Sequence, residues 1–119
     1  MSAGGKDIQM RPTRFYSKKQ ESAIADVTRG RRTANSGATK FDKGDVVAGQ
    51  WLLEAKTVTK EKKTFTLRKD WLDKNREEAF AMGKEYNALV FDFGDEGSRY
   101  YVIDEKTFLQ VKEALENDK

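Results

Sequence analysis

The stretch GDVVAGQWLLEAKT, residues 44–57, constrains this chain more than any other. Two short apolar runs, Val46-Val47-Ala48 and Trp51-Leu52-Leu53, flank the dipeptide Gly49-Gln50. Glycine at the first position of a two-residue loop suits a type II′ turn, whose twist matches that of the strands it joins. Such a turn sets the register. Ala48 faces Trp51, Val47 faces Leu52, Val46 faces Leu53, and Asp45 faces Glu54. Opposed residues of an antiparallel pair share a face, with Cβ atoms roughly 5 Å apart. Lys56 lies two residues beyond Glu54, so the period of two places it on the same face.

Two carboxylates held this close repel each other unless a cation lies between them. A hard divalent ion with oxygen ligands fits two carboxylates plus the oxygens of a substrate phosphate. A lysine beside such an ion can orient or deprotonate a water, or stabilise charge building on a phosphate. The pattern therefore suits phosphodiester cleavage. In a chain that is 36% charged, Glu and Lys also meet by accident, as in Glu61-Lys62-Lys63. It is the convergence of Asp45, Glu54 and Lys56 across an otherwise apolar hairpin that carries the reading.

The residue inventory narrows the chemistry. The chain has no cysteine and no histidine. That excludes disulfides, thiolate and histidine metal sites, cysteine nucleophiles and histidine general bases. With 119 residues, a single domain with a modest core is expected. No apolar run reaches the length of a membrane span, so a soluble, cytoplasmic protein with no membrane partner is expected. The net charge of +3 is uneven. Residues 1–43 hold ten basic and four acidic side chains, and residues 44–119 hold thirteen and sixteen. A basic half preceding a carboxylate hairpin suits a protein that draws in a polyanion and presents it to a cation-loaded site.

Along the chain, residues 1–14 read as a mobile basic arm and residues 15–119 as the domain. Ser17 begins a first helix in a capping-box pattern with Gln20, and Ala23, Ile24 and Val27 form its apolar stripe. Gly30 is its stop signal. Arg29, Arg31 and Arg32 follow, then a small, polar loop through Ser36, Gly37 and Thr39 to Lys40 and Lys43. Arginines match phosphates bidentately, and such a loop lets donors approach a strand closely. After the hairpin, residues 64–68 (TFTLR) alternate like a third strand of an antiparallel meander. Asp70 caps a second helix running to about Gly83, with an apolar face of Trp71, Leu72, Ala79, Phe80 and Met82. Residues 88–93 (ALVFDF) read as a strand buried on both faces, and residues 99–104 (RYYVID) as another. Asp104 caps a last helix with Phe108, Val111, Lys112 and Leu115 at helical spacing. The order of helix, three strands, helix, two strands and helix predicts an α/β domain, a mixed central sheet flanked by helices.

Asp45, Glu54, Ala55 and Lys56 resemble the PD-(D/E)XK nuclease motif. The longer run SGATKFDKGDVVAGQWLLEAKT, residues 36–57, resembles the Holliday-junction resolvase branch of that superfamily, especially small phage and archaeal resolvases. The likeness covers residues 17–104. Lys43-Gly44 precedes Asp45 where many members carry a proline, a position that shapes the backbone and is not a ligand.

The resemblance implies a restriction-endonuclease-like αβββαβ core. It implies a Mg²⁺ (or Mn²⁺) ion held by Asp45, Glu54 and the backbone carbonyl of Ala55. Glu21 is the position that matches the family's metal-binding helix glutamate, and Lys56 the one that positions the attacking water. Ser36 and its neighbours Gly37 and Thr39 would contact DNA near the scissile phosphate. Arg29, Arg31, Arg32, Lys40 and Lys43 would bind the backbone without reading bases. Two matched nicks in a four-way junction imply a two-fold homodimer, for which Trp71 and Phe108 are candidate interface residues. Another nuclease of the superfamily, or a DNA-binding module without catalysis, is compatible with the same residues.

Overall fold

The computed structural model describes residues 13–33, 45–95 and 97–117. Its elements are α1 (Thr13–Thr28), β1 (Arg31–Arg32), β2 (Asp45–Ala48), β3 (Trp51–Lys56), α2 (Lys69–Ala81), β4 (Tyr86–Phe91), β5 (Tyr100–Val102) and α3 (Glu105–Asn117). The fold is α/β, with one five-stranded mixed sheet in the order β1-β2-β3-β4-β5. β3 and β4 run parallel, and every other neighbouring pair is antiparallel. Among the described residues no helix is long and apolar enough to cross a membrane.

The hairpin has the expected register in full, with Asp45 opposite Glu54 and Ala48 opposite Trp51. Gly49 turns the chain at φ 59°, the conformation that position one of a type II′ turn demands. Strand alternation then divides the sheet into two faces. Val46, Leu53, Ala55, Ala88 and Val90 point to one side and bury Ile24 and Ala25 of α1. Val47 and Leu52 point to the other and bury Ala79 of α2. The sheet is thus covered by one helix on each side, which is what a strand such as β4, apolar on both faces, requires.

Several expectations are corrected. The first helix begins at Thr13, four residues before Ser17, so Ser17 is not its cap; residues 1–12 of the expected arm lie outside the described residues. Its buried stripe is Gln20, Glu21, Ile24 and Ala25, while Val27 is 65% exposed. Residues 64–68 are not a strand. The free edge of β3 is taken by β4, whose Ala88, Leu89 and Val90 bury both faces and so fit the sheet centre better than a run with one apolar side. The alternation at residues 64–68 has a different outlet: Phe65 stacks on Phe91 at 4.1 Å while Leu67 stays exposed. A third antiparallel strand exists, but it is β1, paired to the other edge of the hairpin. β4 starts two residues earlier than expected, at Tyr86.

In α2 the cap is Arg68, without a side-chain capping bond, and Asp70 instead pairs with Arg68 at 2.9 Å. Phe80 and Met82 are exposed, and Asn75 is buried in their place, accepting a hydrogen bond from Asn87 at 2.8 Å. Asp104 caps α3 as expected, accepting from the Thr107 N–H at 2.8 Å. Of α3 only Thr107 is buried; Phe108, Leu109 and Leu115 are exposed.

Candidate metal and nucleic-acid site

β2 and β3 deliver Asp45, Glu54 and Lys56 to the α2 side of the sheet, the face that also carries Val47 and Leu52. Both carboxylates sit in the protein interior, Glu54 being only 8% exposed. Lys56 Nζ lies 2.8 Å from Glu54 Oε2 and 4.2 Å from the centre of the Trp71 ring. Trp71, at the start of α2, therefore forms a floor beneath the ammonium, a cation–π contact that narrows where Nζ can point. Phe65 packs on Trp71 and Phe91, so the floor is continuous with an aromatic cluster on β4. The other end of Lys56 is fixed from α1, where Gln20 Nε2 donates to its backbone carbonyl at 3.0 Å.

A third carboxylate joins the pair from α2. Oxygens of Asp45, Glu54 and Glu78 lie within 4.8 Å of one another. The sequence does not single out Glu78, but the signal is present. Asn75, Glu78 and Ala79 share one side of α2, and both Asn75 and Ala79 are buried. An acid on the sheet-facing side of a helix, opposite two strand acids, makes a group of three carboxylates that could hold a cation.

Glu21 is placed differently from Asp45 and Glu54. It is 3% exposed and receives the Arg32 Nε–H at 3.0 Å. Arg32 is registered with Val46, on the α1 side of the sheet. Among the described residues, Glu78 and not Glu21 completes the carboxylate group. The Ala55 side chain also faces α1, leaving only its backbone carbonyl as a possible donor.

The group fits a hard cation. All its donors are oxygen, the set that suits Mg²⁺ or Mn²⁺ and not soft metals. Glu54 Oε1 is buried with no hydrogen-bond partner among the described residues. So is Thr33 Oγ1, whose backbone N–H donates to the Asp45 carbonyl at 3.2 Å. A buried carboxylate oxygen without a donor is costly, and a bound cation with its water is the natural remedy.

The basic residues divide. Arg29 is exposed and sits at φ 58°, ending α1, with the Gly30 N–H bonded to the Ala25 carbonyl at 2.8 Å. A Cβ on Gly30 would lie 2.5 Å from the Val47 carbonyl oxygen, so the helix end can approach the hairpin only because that position is glycine. Arg31 is exposed on the Val47 face, while Arg32 is engaged with Glu21. Ser36, Gly37, Thr39, Lys40 and Lys43 lie outside the described residues.

Comparison with protein families, with curated proteins and with solved structures returned no match.

Proposed function

We propose that the chain is a metal-dependent, structure-selective DNA endonuclease, a Holliday-junction resolvase of the PD-(D/E)XK type. One observation carries the reading. Asp45 and Glu54 stand directly opposite across the hairpin, with Lys56 at 2.8 Å from Glu54 and a third acid, Glu78, closing the group. The element order supports it as well. Counting the short β1, the chain runs α1, β1, β2, β3, α2, β4, which is the αβββαβ order the resemblance implies.

Asp45, Glu54 and Glu78 would hold Mg²⁺ or Mn²⁺, with the Ala55 carbonyl as a further donor. When bound, the ion supplies Lewis-acid stabilisation of charge on the phosphate and lowers the pKa of a coordinated water. Lys56 donates a hydrogen bond that orients the attacking water. Trp71 and Glu54 hold its ammonium in place, and Gln20 holds its backbone. Glu21, paired with Arg32 on the α1 side of the sheet, fixes β1 against α1 and is not grouped with the cluster. Arg29 and Arg31 would take DNA phosphates, without base readout, so affinity would fall steeply with salt.

Paired nicking calls for two copies related by a two-fold axis. Phe108, Val111 and Leu115, one exposed stripe on α3, offer a surface for that contact. Trp71 is better used beneath Lys56. A light-scattering mass of a monomer at micromolar concentration would contradict the dimer.

The test of the activity is Asp45→Asn. It should abolish cleavage of a four-way junction in Mg²⁺ while junction binding persists. Cleavage near the wild-type rate would remove Asp45 from the site.

A further inference from the structure

β3 and β4 are the two parallel neighbours of the sheet, and their carboxyl ends open into a cavity of about 230 Å³. In open α/β sheets the crevice beyond the carboxyl ends of the strands is where ligands bind. Here it is lined by Lys19 and Gln20 of α1, Thr57 and Thr59 after β3, Asp92 after β4, and Arg99 before β5. The cavity is smaller than the roughly 300–1,000 Å³ of sites for drug-sized ligands, so it suits a small group and not an extended one.

Its chemistry favours an anion. Arg99 and Lys19 share the lining with one carboxylate, Asp92, whose Oδ1 accepts from the Gly94 N–H at 2.9 Å, and Lys19 has a further partner of its own. Among the described residues no carboxylate pairs with Arg99. Its Nε is buried and lacks an acceptor. An enclosed guanidinium N–H without a partner, beside an ammonium and two threonines, is the donor array a tetrahedral oxyanion satisfies. The cavity is also tied to the hairpin. Gln20, part of its lining, donates to the Lys56 carbonyl, and Thr57 is the next residue in the chain.

We propose that this cavity is a phosphate-binding subsite in which Arg99, with Lys19 in the same wall, holds a phosphate group apart from the Asp45–Glu54–Glu78 cluster. The phosphate belongs either to the DNA backbone, flanking the one to be cut, or to a free phosphate or nucleotide. The first source rests on the endonuclease reading above; the affinity of the cavity for a phosphate group does not.

Two arms distinguish the sources, both on the full chain. In the first, inorganic phosphate is titrated into ¹⁵N-labelled protein and the Arg99 Nε–Hε resonance is followed. It should shift and saturate in the wild type, and Lys19→Gln should weaken the response. In the second, affinity for a four-way junction is measured in EDTA over a salt series. If the source is DNA, Arg99→Gln and Lys19→Gln should each weaken binding several-fold and reduce the log–log salt slope by about one. Lys19 is exposed, so its variant keeps the test valid should Arg99→Gln fold poorly. A phosphate response with unchanged junction binding supports the subsite and assigns it to a free phosphate. A phosphate response in a protein that neither binds nor cuts DNA supports the subsite and defeats the endonuclease reading. No Arg99 response to phosphate, with salt slopes equal to wild type, overturns the proposal.

Discussion

Replacing Glu78 by glutamine separates the carboxylate cluster from any assay of cleavage. Glu78 takes part in two of the three close contacts of the cluster, each within 4.8 Å. Two unit charges at that distance repel by about 3.5 kcal/mol at an effective dielectric constant near 20. Glu78 enters two such contacts, so its unscreened total is about 7 kcal/mol, which the neighbouring cations and solvent cut down. Lys56 offsets Glu54 from 2.8 Å, Lys74 offsets Glu78 from 3.8 Å, and the Glu78 side chain is 29% exposed. A residual repulsion of roughly 1–2 kcal/mol in the metal-free fold is a reasonable discount. The unfolded chain lacks it, so Glu78→Gln should stabilise the metal-free protein by that amount. About 1 kcal/mol moves the melting midpoint of a domain of this size by ~4 °C.

With metal the gap should close. Wild type gains RT ln(1 + [L]/Kd), about 2.7 kcal/mol at one hundred times Kd. A variant with tenfold weaker affinity gains about 1.4 kcal/mol less. In thermal melts of both proteins in EDTA and along a Mg²⁺ or Mn²⁺ titration, the variant should therefore lead without metal and its lead should shrink by about 1.4 kcal/mol as metal saturates. A variant no more stable in EDTA, with the same metal-induced shift as wild type, would refute the cluster as a cation site.

Other consequences follow from the same structure. Arg29→Gly should raise stability by up to ~1 kcal/mol, because glycine accepts the left-handed backbone at φ 58° without strain; the same change should weaken DNA binding, read as a higher Kd at fixed salt. Asp104→Ala should cost about 1 kcal/mol through loss of the α3 cap, measured by urea unfolding near neutral pH. The Thr107 backbone N–H, then its hydroxyl, hold the Asp104 carboxyl below its ordinary value. A depressed folded pKa contributes stability above the unfolded value near 3.9 and loses it as pH falls through the folded one. The gap between wild type and variant should accordingly shrink on acidification below about pH 4.

The hairpin was legible because three local signals agree: the Gly49-Gln50 turn, the paired apolar runs, and the charges at matched distances from the turn. Agreement of that kind leaves one register, since a slip by one residue would turn Val46 and Leu53 away from α1. Asp104 was legible for the same local reason, as a cap needs only its own helix. The rest depended on tertiary choices. Residues 64–68 have the alternation of a strand, yet β4 occupies the edge they would have needed. β1 is two residues long, too short for any periodicity, and exists because the end of α1 approaches the hairpin at Gly30. Glu78 belongs to the cluster only because α2 packs Ala79 onto Val47 and Leu52, a contact between segments remote in sequence. Glu21 illustrates the converse. The resemblance singled it out as a metal-binding helix glutamate, and it is buried, but its partner in the structure is Arg32.

The most direct test of the central claim is cleavage of an end-labelled four-way DNA junction by wild type and Asp45→Asn, in Mg²⁺ and in EDTA, beside duplex, flap and single-stranded controls. Paired symmetric nicks confined to the junction, dependent on metal and lost in Asp45→Asn, are the predicted result. Junction binding with no cleavage of any of these substrates in Mg²⁺ or Mn²⁺ would contradict it, and would leave Asp45, Glu54 and Lys56 as structural charges of a DNA-binding module.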